Sequence, residues 1–141
     1  MNYRAFICSI LFAGLGSSAA LAQETLGELL DAGGKMLSKA EVMATVTGTN
    51  FSGPTKGGGQ FLADYKAGGL LSGVSRNPQG ATGPLSGTWA VDDSGKLCAS
   101  FSVGGRRSAD CGFVYKGRVD YYVCESDSDK SAPVLKRTIK R

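Results

Sequence analysis

The sequence predicts a mainly β protein: a small antiparallel β-barrel or strongly curved sheet of seven to eight short strands, with one short N-terminal helix packed across an end. Three observations carry that expectation. Glycine supplies 21 of 141 residues, about twice the average usage of ~7%, and at that density it is costly inside helices. The aromatics Phe61, Tyr65, Trp89, Phe101, Phe113, Tyr115, Tyr121 and Tyr122 are retained, whereas disordered chains lack such residues. From residue 49 onward, short alternating runs are separated by Gly, Pro, Asn and Asp, the pattern of a meander of antiparallel strands.

The elements follow in order. Residues 1–22 read as a secretory signal peptide: Arg4, an apolar core from Ala5 to Leu15, and small residues ending Ala20-Leu21-Ala22. The core is shorter than the ~20 residues of a membrane span, so cleavage is expected between Ala22 and Gln23. Cys8 leaves with the peptide. Removing these 22 residues leaves 119 and lowers the formal charge from +4 to +3 through loss of Arg4, too small an excess to imply nucleic acid. No membrane span is expected in the remainder, and the address is periplasmic or secreted. Residues 23–36 form an N-terminal extension and 37–141 a single β-rich domain, a size usual for one core.

Within the extension, "ETLGELLDAGG" forms a helical turn with Leu26, Leu29 and Leu30 on one side. "LSKAEVMATVTG" is better specified, because Ser38 and Glu41 make a capping box, Leu37 and Val42 a hydrophobic staple, and Gly48 suits the stop; the helix covers about 39–47. Strands are expected at 49–52, 60–66, 70–76, 85–91, 97–103, 108–115, 119–124 and 134–140. A three-residue loop at Asp93-Ser94-Gly95 pairs Val91 with Leu97 and Trp89 with Ala99, which aligns apolar faces.

The cysteines allow more than one register. A two-residue turn at Gly104-Gly105 pairs Val103 with Arg106 and places Cys98 opposite Cys111, at the ~4.5 Å Cα separation of a non-hydrogen-bonded pair, where a disulfide fits. A three-residue loop including Arg106 instead sets Leu97 against Phe113 and Phe101 against Ala109, and the two are reconciled only by a bulge near Ser108-Ala109. A Gly117-Arg118 turn would bring Cys111 opposite Cys124. One cysteine is left over in a monomer, so the chain is a monomer or a Cys124-linked dimer.

The run "LSGTWAVDDSGKLC", followed by "DCGFVYKG" and "DYY", resembles small bacterial exported proteins catalogued as a domain of unknown function, which share a Gly-x-Trp strand, an acidic-Gly turn, Leu-Cys and a second cysteine on the next strand. The helix before the strands is also similar, so the resemblance covers most of residues 37 to 124. It implies that Cys98 and Cys111 pair, with Cys124 departing from the pattern. It implies a fold and an export address and transfers no activity.

Chemistry is constrained first by the absence of histidine, which removes His-dependent bases, Ser-His-Asp and Cys-His arrangements and nearly every zinc or copper site. Ser38-Lys39 and Ser94-Gly95-Lys96 sit in cap and turn positions. Asp92 and Asp93 sit in a turn, Asp127 and Asp129, at alternate positions of a loop, lack the glycine and distal glutamate of a calcium site, and the glycines at 57–59 and 104–105 lack phosphate-loop context. No catalytic residue, cofactor or metal is expected.

What remains is binding. Arg106-Arg107 at a hairpin tip project two guanidinium groups toward an anion or acidic partner. In "VLKRTIKR", Leu135 and Ile139 share one face and Lys136, Thr138 and Lys140 the other, as in a closing or edge strand protected by charge. Tyr65, Trp89, Tyr115 and Tyr121 are expected in the core, with tips that line an open barrel mouth; Tyr122 faces opposite to Tyr121. The expected function is an exported non-enzymatic binding module for a protein or cell-envelope component, with room inside for one small ligand. The alternative is an inhibitor of a secreted hydrolase, protease or lysozyme, since inhibitors of that kind are similar small barrels with one disulfide and a Gly-x-Trp strand.

Overall fold

The structure, a computed structural model, describes residues 25–141; the signal peptide and its cleavage site lie outside them. Two short helices, α1 (Leu26–Asp31) and α2 (Lys39–Val46), flank a two-residue strand β1 (Lys35–Met36). Eight longer strands follow: β2 (Thr49–Pro54), β3 (Gln60–Tyr65), β4 (Leu70–Arg76), β5 (Thr82–Val91), β6 (Leu97–Val103), β7 (Arg106–Lys116), β8 (Tyr121–Cys124) and β9 (Leu135–Lys140). Each pairs antiparallel with the next, and β9 returns to β2 through Phe51 and Ile139. The meander is therefore a closed eight-stranded barrel with no free edge among β2–β9, as the turn spacing predicts. β1 is an addition the sequence does not announce: β7 outruns β6, and Lys35 and Met36 pair with Lys116 and Tyr115 along the stretch left open.

Local chemistry sets the helices. Ser38 accepts from the Glu41 amide and donates its own amide to the Glu41 carboxylate, at 3.2 and 2.7 Å. Leu37 and Val42, the staple pair, are both buried in the inner core. Thr25 and Glu28 make an equivalent box at α1. Of the three leucines expected on one side of α1, Leu26 and Leu29 are buried and Leu30 is exposed.

The register between β6 and β7 runs without a bulge from Val103↔Arg106 to Leu97↔Gly112, and Cys98 and Cys111 form a disulfide. Gly104 and Gly105 have φ of 55° and 79°, the doubly left-handed turn that glycine adopts without steric penalty. The three-residue loop and the Cys111–Cys124 pairing are excluded; Cys124 lies opposite Phe113 and its thiol is free and buried. The competing register assumed that Phe113 belongs on the same face as Leu97. Instead Phe113 and Tyr115 point out of the barrel, and α1 covers them.

Two cores result. Inside the barrel, Phe51, Tyr65, Leu71, Trp89 and Val91 pack with Val42 and Val46 of α2, which closes that end. Outside, Leu26 and Leu29 of α1 pack on Phe113, Tyr115, Tyr122 and Cys124. The disulfide staples the strand pair that links them. Replacing Cys98 and Cys111 together by serine is expected to lower unfolding free energy by about 2 kcal/mol, the lower end for a loop of this length because the hairpin turn already restricts the chain. Urea unfolding of the variant against wild type checks it.

Candidate functional site: a cavity inside the barrel

The half of the barrel distant from α2 is incompletely filled. Inward positions there carry small residues, Ala63, Ser75, Ala99, Ser108 and Gly112, between larger ones, Phe51, Phe61, Phe101 and Val123. They leave a cavity of about 320 Å³, which reaches the surface beside Thr55, Lys56 and Gly57 of the β2–β3 loop. That volume lies at the small end of the ~300–1,000 Å³ of ligand pockets.

Arg137 is the main polar group in its wall. Alternation along β9 turns Leu135, Arg137 and Ile139 inward together, and Arg137 is only 5% exposed. Its Nη1 donates to the carbonyls of Pro54 and Lys136 at 2.8 and 2.9 Å, and the guanidinium lies 5.0 Å from the centre of the Phe61 ring, within cation–π range. Gly53 makes room for it: a Cβ there would collide with the Lys136 carbonyl and come within 3.0 Å of Arg137 Nη1. Burial lowers the Arg137 pKa to about 10, so it is still a cation at neutral pH. Among the described residues it has no carboxylate at ion-pair distance; the ion pairs are Lys39–Asp93, Lys56–Asp110, Lys56–Glu125 and Lys136–Asp120.

Tyr65 lines the same cavity. Burial of the side chain pushes its pKa up to about 12, which makes it a neutral phenol, and its hydroxyl, engaged by no hydrogen bond among the described residues, opens onto the accessible cavity. Its ring is held edge-on to Phe51 at 5.2 Å and tilted on Trp89 at 5.6 Å. At the mouth, Lys56 reaches from the β2–β3 loop to Asp110 on β7 at 2.9 Å, and to Glu125 just after β8. The hydrogen bond from Lys56 holds the Glu125 carboxyl below its usual range. Burial alone would lower the Lys56 pKa, but the bonds to Glu125 and Asp110 outweigh it and the net shift is upward.

The residues singled out from sequence scatter. Of the four aromatics, only Tyr65 lines the cavity. Trp89 is in the layer beneath α2, where its Nε1 donates to the Lys66 carbonyl at 3.0 Å. Tyr115 is in the outer core and donates its hydroxyl to the Ser126 carbonyl at 3.2 Å. Tyr121 packs on the inner core and Tyr122 on the outer one, on opposite faces as alternation requires. Arg106 and Arg107 are exposed at the β6–β7 turn and neither reaches the cavity; Arg107 borders a shallow outer groove with Ser86, Ser100 and Ser102. The cavity's own Arg137, Lys56, Asp110 and Phe51 were not singled out. For Arg137 a signal existed, since it falls between Leu135 and Ile139 on the inward face.

Comparison with protein-family models, with curated proteins and with solved structures finds no match. Among the described residues no group of three or more His, Cys, Asp or Glu side chains is placed to hold a metal ion, and no helix is long and apolar enough to cross a membrane. The cavity offers an apolar lining, one buried cation, one phenolic donor and a mouth bounded by an ion-paired loop. These groups can enclose and orient a small molecule.

Proposed function

We propose that the chain is an exported, non-enzymatic binding module, akin to the small exported domain family it resembles, that takes a small, largely apolar ligand into its barrel. The carrying observation is the asymmetry of the interior: α2 fills one end with Val42 and Val46, while the other end keeps about 320 Å³ open to the mouth. A barrel whose sole task was stability would fill that space, because unfilled volume removes packing contacts along its whole lining. Inward small residues at Ala63, Ser75 and Ala99 hold it open without strain at the closed end.

The environment-sensitive neutral dye 1-aminonaphthalene, which has roughly a dozen non-hydrogen atoms and so suits a cavity of this volume, tests the reading. Wild type is expected to enhance its fluorescence saturably, with one dye per chain. Ser75 on β4 is half-buried and faces the cavity opposite Phe61, so Ser75→Trp is expected to abolish the enhancement with little change in thermal midpoint. Wild-type protein that shows no saturable enhancement, and carries no small molecule by native mass spectrometry when isolated from an exporting host, would overturn it.

A further inference from the structure

We infer that the ligand of this cavity is a compact monocarboxylate, whose oxyanion is received by Arg137 and Tyr65 and whose apolar body lies among Phe51, Phe61 and Phe101. The inference rests on the binding-module reading and narrows it to one chemical class.

Its first support is a charge without a counter-charge. A buried ion is expensive unless paired and hydrogen-bonded, yet Arg137, 95% buried by its 5% exposure, has only two backbone carbonyls, and both are taken by Nη1. Asp110, on the wall of the same cavity, is engaged at 2.9 Å by Lys56. Glu125, beside the mouth, is engaged by Lys56 as well, so both nearby carboxylates are held at the mouth, and Arg137 is the cation of the lining that has none at ion-pair distance.

The second support is the neighbouring phenol. Tyr65, 6% exposed, presents a hydroxyl without a partner among the described residues to the cavity that Arg137 lines. No buried side-chain polar atom among the described residues lacks a partner, so this hydroxyl opens onto the accessible cavity and is available to what enters it. A guanidinium fork and a phenolic O–H are both donors, and a planar carboxylate offers acceptor lone pairs to satisfy both at once. A purely apolar ligand would leave both donors facing hydrocarbon, and a cationic one would be repelled.

The remaining lining sets the size and character of the rest of the molecule. Apart from the mouth it is aromatic and aliphatic, and its volume is about twice the ~150 Å³ of a dry cavity that accommodates benzene, which corresponds to roughly a dozen non-hydrogen atoms. Decanoate, with ten carbons and two oxygens, is a probe of that size. Decanamide matches it atom for atom without the charge, and decylamine reverses the sign.

Displacement of 1-aminonaphthalene from wild type by these three compounds is the test. Decanoate is expected to displace the dye about 10- to 100-fold more tightly than decanamide, the range for charge-assisted hydrogen bonds, with decylamine weakest. Arg137→Met should remove the advantage of decanoate, weakening it far more than decanamide, and Tyr65→Phe should reduce the advantage several-fold. Dye displaced equally by decanoate and decanamide, or best by decylamine, would overturn the carboxylate inference and leave the binding module standing. A wild type that takes up neither the dye nor any of the three compounds overturns both. The series on wild type decides even where Arg137→Met does not fold.

Discussion

Replacing Trp89 by alanine is expected to lower the unfolding free energy by about 3–5 kcal/mol. Trp89 is the only tryptophan and is 6% exposed on the inward face of β5, packed 5.6 Å from Tyr65, which in turn packs 5.2 Å from Phe51. Truncation would leave a ring-sized void in the layer beneath α2 and remove one of the two donors to the Lys66 carbonyl, the other being the Gly69 amide. A domain of this kind has about 5–15 kcal/mol to lose, so the variant should unfold at markedly lower urea concentration. Far-UV circular dichroism is the appropriate probe, because the substitution removes the fluorescent reporter. Trp89→Phe keeps a ring against Tyr65 and should lose less. Since Trp89 does not line the cavity, the folded fraction of either variant should still take up the dye. A loss under 1 kcal/mol for the alanine variant would mean that this layer is not the packed floor of the barrel.

The parts of this fold that were legible in the sequence are those fixed by local chemistry. The Ser38–Glu41 box and its staple act within one helical turn, and the eight barrel strands are punctuated by turn residues whose backbone demands are their own. The Gly104-Gly105 hairpin was one of two registers the local sequence allowed, and the Cys98–Cys111 pair, favoured by the family resemblance, comes with it. What was not legible depends on which face of a strand something distant covers. β7 has Val114 inward but Phe113 and Tyr115 outward, all apolar, so alternation alone assigns no inside. The answer lies some 80 residues earlier, where Leu26 and Leu29 supply the outer cover. The same holds for the site. Lys56 meets Asp110 and Glu125 only because the barrel closes. Arg137 sits in a basic run, Lys136-Arg137, that reads as solvated charge, although its parity with Leu135 and Ile139 sends it inside.

The outer core gives the second large effect. Leu26→Ala with Leu29→Ala is expected to reduce stability by about 4 kcal/mol, less than the sum of two buried leucine truncations because the side chains share partners and their losses are not additive. Both leucines are essentially fully buried, at 0% and 1% exposure. α1 has only six residues, too few to hold a helix without tertiary anchors, so their loss should release it and expose Phe113, Tyr115 and Tyr122. The effect should also be local. Residues 97–112 keep the β6–β7 ladder and the disulfide, whereas β7 beyond residue 112 keeps β8, the two residues of β1 and the Leu37 amide on the Val114 carbonyl. Cys124 reports the difference directly: it is the free thiol of the described residues, 1% exposed beneath α1. Reaction with a water-soluble disulfide reagent should be slow in wild type and fast in the double variant, under conditions where dichroism shows the barrel still folded. Wild-type protection of Cys124 together with a loss under 1 kcal/mol would mean that α1 rests on the barrel without holding it, and that the outer aromatics pack well enough unaided.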